Sequence, residues 1–193
     1  MMKGKLILII GGARSGKSKF AEKVAIGLGS KITYIATAAS LDDEMAERIR
    51  LHQAFRPKDW ITVEEQKNVI EVMLSGCKGD VFLLDCLTLW LTNILLDDQL
   101  PEPGTTKSKK ELFIMEQAAG IADVVESGAH LVVVSNEVGM GVVPESSLGR
   151  SFRDLAGKVN QVLASKADRV YLVIAGLPLE LKSIARNDSV FDI

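Results

Sequence analysis

Residues 11–18 read GGARSGKS and match the phosphate-binding pattern GxxxxGK[ST] at every required position. The apolar run Leu6–Ile10 precedes this pattern, and a helical pattern follows it. Glycines let successive backbone N–H groups turn toward phosphate oxygens, and the N-terminus of the next helix adds its dipole. In such a loop Lys17 reaches the β- and γ-phosphates, and the Ser18 hydroxyl ligates Mg²⁺. We therefore predict that residues 11–18 bind the phosphates of a nucleotide.

A second apolar run, Val81–Leu84, ends in Asp85. An acid at the end of a buried strand beside a phosphate loop can hold Mg²⁺ through water. Many strands end in aspartate, so this feature carries weight only because the phosphate loop is present. The two features together predict a Mg²⁺ site formed by Ser18 and Asp85.

One histidine, His52, lies among arginines in the segment 42–56. Arg48 is four residues before it and shares its face of a helix, and Arg56 extends that face if the helix continues so far. An imidazole between guanidinium groups suits a phosphorylated ligand, and its neutral nitrogen is a nucleophile toward phosphorus. A structural histidine on a helix is the alternative. These residues alone leave both interpretations open.

The segment 136–145, NEVGMGVVPE, places polar residues and glycines after the apolar run Leu131–Val134. Open α/β sheets bind ligands at the carboxyl ends of their strands, which favours a ligand loop over a merely flexible one. Arg150 and Arg153 follow this segment. They suit a phosphate, a neighbouring subunit or a solvated helix surface equally well.

Two short strings resemble guanine-nucleotide switch motifs but lack the context of those motifs. Residues 154–157 fit DxxG with no strand leading into them, and residues 165–168, SKAD, precede a strand where NKxD follows one. We interpret both as helix surface or capping, which weakens the hypothesis of a nucleotide-dependent switch. His130, at the entrance of an apolar strand, is interpreted as structural.

Apolar runs without period-two alternation predict strands that are covered on both faces, as in parallel sheets. These runs are Leu6–Ile10, Ile32–Ala36, Val81–Leu84, Leu131–Val134 and Val170–Ala175. Helical patterns at 18–28, 42–56 and 108–127 lie between them and predict a three-layer α/β domain with a mostly parallel sheet. Ser108 and Glu111 predict a capping box, Gly128 a helix stop, and residues 97–109 an exposed loop.

The composition of the 193 residues is that of a globular chain, with 47% hydrophobic and 25% charged residues. The length predicts a single domain over 1–193, and a net charge of -2 excludes a strongly basic nucleic-acid binder. Cys77 and Cys86 form no CxxC pair, which favours a reducing cytoplasm. No apolar run approaches the roughly 20 residues that span a bilayer, so no membrane insertion is expected.

The strings in combination closely resemble the bifunctional adenosylcobinamide kinase / adenosylcobinamide-phosphate guanylyltransferase family of cobalamin biosynthesis. The resemblance covers about residues 5–178. The strings that carry it are GGARSGKS at 11–18, IAT at 35–37, DDEM at 42–45, His52 with Arg56-Pro57, DCLT at 85–88, Thr92-Asn93, NEVGMGVVPE at 136–145 and FRDLAGKVNQ at 152–161.

The resemblance implies a RecA-like P-loop NTPase fold and a homo-oligomer, in particular a trimer. It also implies two reactions. ATP or GTP phosphorylates the aminopropanol hydroxyl of adenosylcobinamide, and GMP then passes from GTP to adenosylcobinamide phosphate through a covalent histidine, which corresponds to His52. Pyrophosphate and adenosylcobinamide-GDP are the products. Lys17 joins His52 as a catalytic residue because it stabilises charge on the transferred group.

The family's nucleotide contacts correspond to Gly11, Gly12, Ala13, Arg14, Ser15, Gly16, Lys17, Ser18, Ala36, Thr37, Ala38, Gln53, Ala54, Phe55, Arg56, Glu64 and Asp85. Glu137 is a candidate for the base that activates the cobinamide hydroxyl. Two alternatives stay open. One is a simpler small-molecule kinase in which His52 only binds phosphate, and the other is a nucleotide-dependent switch or assembly protein without an acceptor substrate.

Overall fold

A computed structural model describes residues 3–39, 57 and 59–185 of the chain. The strands of this part are β1 (Leu6–Gly11), β2 (Ile32–Ala36), β3 (Ile61–Glu64), β4 (Val81–Asp85), β5 (His130–Asn136), β6 (Arg169–Ile174) and β7 (Leu177–Glu180). They form one sheet in the order β3-β2-β4-β5-β1-β6-β7. Only β7 pairs antiparallel, with β6. The mostly parallel sheet predicted from the apolar runs is confirmed.

Helices connect these strands. In the described residues they are α1 (Lys17–Leu28), α2 (Val69–Leu74), α3 (Leu87–Leu96), α4 (Lys107–Asp123), α5 (Ser147–Lys166) and the short α6 (Leu181–Ile184). A 3₁₀ turn, Val124–Ser127, continues α4 toward β5.

Side chains from the two faces of the sheet enter two separate hydrophobic clusters. In β1, Leu6 and Leu8 join the cluster formed with α2, α3, α4 and α5, whereas Ile7 and Ile9 join the cluster that contains Ala21 of α1. Both faces of the central strands are therefore covered, which explains why their sequences show no alternation. The predicted three-layer architecture is confirmed.

The parallel strands bring their carboxyl ends to one edge of the sheet. In the register of the ladders, Gly11 of β1 lies opposite Asn136 of β5, and Ala36 of β2 lies opposite Asp85 of β4. Residues that are far apart in sequence thus meet at this edge, where open α/β sheets bind ligands.

The element boundaries differ from expectation mainly at helix ends. The strand predicted at 32–36 is β2 residue for residue, and Gly128 ends its helical segment with a left-handed φ of 92°. The capping box at Ser108 is wrong, because α4 begins at Lys107 and the Thr106 hydroxyl accepts the hydrogen bond from the Lys109 amide at 3.4 Å. The exposed loop predicted at 97–109 therefore ends at 106. The predicted helix at 42–56 lies outside the described residues.

The two edge strands were not predicted. Three of the four residues of β3 and of β7 are exposed, so neither strand shows the continuous apolar run of a buried strand. The two strings that resemble switch motifs have structural positions. Asp154, in the string at 154–157, is exposed on the surface of α5. Asp168, in the string at 165–168, accepts a hydrogen bond from the Leu6 amide at 2.7 Å. His130 Nδ1 accepts a bond from the Lys5 amide at 3.0 Å.

Within the described ranges, no helix combines the length and the apolar character that crossing a bilayer requires.

The burial of β1 on both faces makes a direct prediction. We expect Leu8→Ala to lower the free energy of unfolding by about 2–5 kcal/mol, because Leu8 is fully buried and truncation leaves a cavity. Ile26→Ala, at an exposed position of α1, should change it by less than about 0.5 kcal/mol. Urea titrations followed by circular dichroism measure both. Equal losses in the two variants would contradict this account of the core.

Candidate active site

The phosphate loop connects the end of β1 to the start of α1. Gly16 precedes the first helical residue, Lys17, in a left-handed conformation with a φ of 92°, which glycine adopts without strain. The Ser15 amide donates to the Gly12 carbonyl at 3.3 Å and closes the turn. The exposed residues of the loop are Gly12, Ala13, Arg14 and Gly16. The backbone of this segment is therefore accessible to a ligand at the N-terminus of α1.

Backbone groups on both sides hold the phosphate loop in place. The Glu137 amide donates to the Gly11 carbonyl at 3.0 Å, and the Gly176 amide donates to the Ser15 carbonyl at 2.8 Å. A Cβ atom on Gly11 would lie only 2.6 Å from the Val173 carbonyl oxygen. Glycine at position 11 is thus required by the close approach of β6.

Lys17 is buried and makes its hydrogen bond inside the loop. Its Nζ donates to the Gly12 carbonyl at 3.0 Å. Burial lowers the pKa of Lys17, and the nearby Asp85 carboxylate opposes that effect only in part. The described residues form no ion pair with its ammonium group. A phosphate would supply the missing negative charge.

The buried Ser15 hydroxyl has no hydrogen-bond partner in the described part of the chain. Buried polar groups are rarely unpaired, and each unpaired group costs free energy. Together with Lys17, this hydroxyl suits a loop built to receive phosphate oxygens.

Asp85 ends β4 next to β2. One carboxylate oxygen, Oδ2, accepts a hydrogen bond from the Tyr34 hydroxyl at 2.8 Å. Mg²⁺ is usually held by one or two protein oxygens, with phosphate oxygens and water completing its coordination. Asp85 and the half-buried Ser18 offer such a donor set. Among the described residues, no cluster of three or more acidic, histidine or cysteine side chains is suited to hold a metal.

A buried hydrogen-bond network joins the ends of β2 and β4. The Thr37 hydroxyl donates to the Cys86 carbonyl at 2.7 Å and accepts from the Cys86 amide at 2.8 Å. The Thr37 amide donates to the Asp85 carbonyl at 3.2 Å. Thr37, expected as a nucleotide contact, is fully buried, and its side chain fixes the turn that carries Asp85.

The network continues from Cys86 to the end of β5. Cys86 Sγ lies 3.2 Å from the Thr88 hydroxyl, which accepts a hydrogen bond from the Asn136 side chain at 2.8 Å. Burial raises the pKa of the Cys86 thiol, so this cysteine is neutral and unsuited to act as a nucleophile. The sequence placed Asn136 in a candidate ligand loop and indicated no individual role for Thr88, so the hydrogen bond between them was not predicted.

The other predicted contacts at this edge lie on β2 and β3. Ala36 is opposite Glu64 in the ladder, and the Glu65 amide donates to the Ala36 carbonyl at 3.0 Å. The Asn93 side chain donates to the carbonyls of Thr37 and Gln66 at 2.8 and 3.1 Å and so holds the two strand ends together. Ala38 is half-buried, and Glu64 is exposed.

Several predicted site residues lie outside the described residues. They are Arg48, His52, Gln53, Ala54, Phe55 and Arg56. The first described range stops at residue 39, three residues beyond the end of β2, and the next begins at residue 57. The assignments of these residues therefore stay predictions.

The segment 136–145 follows β5 directly. Glu137 Oε1 accepts hydrogen bonds from the amides of Gly139 and Met140, the latter at 3.0 Å. Arg150 donates to the carbonyls of Pro144 and Glu145, so its guanidinium holds the end of this loop. Arg153 pairs with its exposed neighbour Asp154 on α5.

The sequence of the chain is similar to a known protein family and to individual proteins from other organisms. A family model described as cobinamide kinase / cobinamide phosphate guanyltransferase matches residues 7–181. The bifunctional adenosylcobalamin biosynthesis protein CobU of Escherichia coli K12 is 44% identical over 181 residues, which are 92% of this chain and 99% of the relative. The bifunctional protein CobP of Pseudomonas aeruginosa is 43% identical over 176 residues, with 91% and 96% of the two chains covered.

Solved structures share the fold at low sequence identity. The ATP synthase subunit NeqB from Nanoarcheaum equitans superposes with a TM-score of 0.54 at 12% identity, covering 97% of this chain and 54% of the subunit. A protein from Pyrococcus horikoshii OT3 gives a TM-score of 0.50 at 11% identity, with 94% and 87% covered. The mostly parallel RecA-like phosphate-loop fold predicted from the sequence is confirmed.

The buried ammonium of Lys17 predicts opposite effects on stability and on binding. We expect Lys17→Met to leave the free energy of unfolding unchanged or higher, because the variant no longer buries a cation with which the described residues form no ion pair. Affinity for Mg²⁺-ATP should fall by about tenfold to a hundredfold, since a charge-assisted contact to phosphate is lost. Urea titration and isothermal calorimetry measure the two quantities.

Lys19→Met is the matched control, because Lys19 is exposed on the same helix. It should alter neither quantity. A marked loss of stability in Lys17→Met, with nucleotide affinity retained, would mean that Lys17 is a structural residue.

Proposed function

The chain belongs to the cobinamide kinase / cobinamide phosphate guanyltransferase family, and we propose that it phosphorylates adenosylcobinamide and then guanylylates the product. ATP or GTP is the phosphate donor, and GTP is the donor of GMP. The observation that carries this proposal is the phosphate loop, Gly11–Ser18, which lies at the N-terminus of α1 beside Asp85. The relatives of the chain are named as bifunctional adenosylcobalamin biosynthesis proteins.

In the proposed kinase step, the aminopropanol hydroxyl of adenosylcobinamide attacks the γ-phosphorus, its proton is released to solvent or to a base, and the nucleoside diphosphate leaves. Lys17 and the backbone N–H groups of the phosphate loop stabilise the charge that develops on the transferred phosphoryl group. Ser18 and Asp85 would hold Mg²⁺, which neutralises charge on the β- and γ-phosphates when bound.

In the proposed guanylyl transfer, a neutral nitrogen of His52 attacks the α-phosphorus of GTP and pyrophosphate leaves. The resulting P–N bond breaks when a phosphate oxygen of adenosylcobinamide phosphate attacks the same phosphorus, which frees His52 and yields adenosylcobinamide-GDP. Arg48 or Arg56 would stabilise the charge on the phosphorus oxygens. All three residues lie outside the described part of the chain.

The expected role of Glu137 as the base in the kinase step stays a prediction. Its Oε1 accepts two amide hydrogen bonds from its own loop. These bonds hold the loop that follows β5, and they leave Oε2 able to accept a proton.

We further propose, as the family resemblance implies, that the protein is a single cytoplasmic domain and assembles as a homo-oligomer, specifically a trimer. Its partners are adenosylcobinamide, adenosylcobinamide phosphate, ATP and GTP, with neither nucleic acid nor membrane insertion involved.

The kinase assignment predicts a strict requirement for the carboxylate at the end of β4. We expect Asp85→Asn to lower kcat for Mg²⁺-dependent phosphorylation of cobinamide by about 10²–10³, the usual effect of losing one electrostatic stabiliser of the transition state. Tyr34 can still bond the amide oxygen, so folding should be retained. The measurement is transfer of γ-labelled phosphate to cobinamide, with the exposed Asp98→Asn as the control. Unchanged kcat in Asp85→Asn would remove Asp85 from the mechanism.

The transferase assignment predicts a covalent nucleotidyl-histidine. Incubation with Mg²⁺ and α-labelled GTP, followed by denaturation, should leave an acid-labile, base-stable label on the wild type and none on His52→Ala, because a P–N bond is stable in base and hydrolysed in acid. The chain has two histidines, so His130→Asn is the matched control and should label like the wild type. His130 receives the Lys5 amide bond, which the Asn carbonyl can accept.

Label on His52→Ala equal to the wild type would refute the intermediate. Absence of label on a folded wild type that still binds GTP would refute the transferase half and leave a small-molecule kinase.

A further inference from the structure

The loop between β5 and α5, residues 137–146, presents apolar side chains to solvent. Met140 is 80% exposed, Val142 94% and Val143 58%. Single exposed apolar residues are ordinary, but three within four residues form an apolar patch. Removing this patch from water would lower the free energy. We call these three residues the apolar loop tip.

The loop is held in a conformation that keeps this tip exposed. At its start, the Glu137 carboxylate accepts the Met140 amide at 3.0 Å. At its end, the Arg150 guanidinium donates to the carbonyls of Pro144 and Glu145 at 3.0 and 2.7 Å. These polar groups organise both ends of the loop, while the tip between them offers no polar side chain.

The loop lies beside the phosphate loop, on one particular side. The Glu137 amide bonds the Gly11 carbonyl, whereas the turn between β6 and β7 bonds the opposite side of the phosphate loop through Gly176. In the sheet, β5 lies between β1 and β4. The apolar loop tip and Asp85 are therefore on the same side of the phosphate loop.

The positions of Lys17 and Asp85 indicate how a triphosphate would be oriented in the phosphate loop. Lys17 would contact the β- and γ-phosphates, and Asp85 would hold Mg²⁺ beside them. The γ-phosphate consequently faces β4 and β5, and an acceptor must approach from that side. The loop 137–146 follows β5 directly and so adjoins this approach.

We propose that Met140, Val142 and Val143 form the surface on which the corrin ring of the cobinamide acceptor rests. The inference depends on the proposed kinase function and adds to it the position of the acceptor. A corrin is a broad macrocycle that carries methyl and methylene groups, and it is much larger than the hydroxyl arm that reacts. When that arm reaches the γ-phosphate, the ring must lie on the adjoining surface, and an apolar tip suits it better than it suits a small polar acceptor.

The test compares the double variant Met140→Gln/Val142→Ser with Leu74→Gln. Leu74 is 67% exposed and ends α2 ahead of the start of β4, so it matches the tip in exposure but lies away from the strand carboxyl ends. Equilibrium dialysis of cobinamide, followed by the visible absorption of the corrin, gives its Kd. Calorimetry gives the Kd of Mg²⁺-ATP, and phosphorylation assays give kcat and KM.

We expect the double variant to raise the Kd and KM for cobinamide by about tenfold or more, because apolar contact area with the ring is lost. The Kd of Mg²⁺-ATP should stay the same, and Leu74→Gln should behave as the wild type. The conservative pair Met140→Leu/Val142→Ile should retain cobinamide binding.

Three results would overturn the inference. If the wild type is active and the double variant binds cobinamide with unchanged affinity, the apolar loop tip does not bind the corrin ring, while the proposed kinase function stands. A wild type that neither binds nor phosphorylates cobinamide would reject the proposed function and the inference with it. A change in molecular mass by light scattering in the double variant would assign the tip to an interface between copies of the chain.

Discussion

A parallel sheet covered on both faces constrains where this protein can bind a ligand. Each connection must return over one face, so the carboxyl ends of β1, β2, β4 and β5 collect at one edge. The side chains on the two faces are used by the core. Polar side chains are therefore left to the ends of the strands, and Thr37, Asp85 and Asn136 gather at the carboxyl ends. The position of the candidate active site follows from the burial of the sheet.

Backbone hydrogen bonds and burial hold this edge in place, and each imposes a local requirement. Backbone bonds from Glu137 and Gly176 fix the phosphate loop, but they require glycine where β6 approaches. Burial holds Lys17 in position, but it lowers the pKa of this ammonium group, with which the described residues form no ion pair. Such groups are stabilised mainly by the ligand, which is common where binding sites conflict with local stability.

The parts of the site that sequence reasoning predicted lie in consecutive residues. The phosphate loop was predictable because one short pattern holds the turn, the ammonium and the hydroxyl, and β2 was predictable because both of its faces are buried. The network from Thr37 through Cys86 and Thr88 to Asn136 was not, because the link from Thr37 to Cys86 joins residues 49 positions apart and the link from Thr88 to Asn136 joins residues 48 positions apart, and no local spacing records them. Edge strands were missed for the opposite reason: β3 and β7 are exposed, so burial leaves no signal in their sequences.

The antiparallel strand β7 closes one end of the sheet with Pro178 opposite Val173 of β6. Proline has no N–H to donate, and proteins place it on edge strands where pairing with a further strand must be avoided. Leu177 and Leu179 flank it and are exposed, so this edge would otherwise favour strand addition. Pro178 thus removes one backbone donor from this short strand, which disfavours edge-to-edge pairing, so copies of this chain that associate here would rely on side chains more than on extending the sheet.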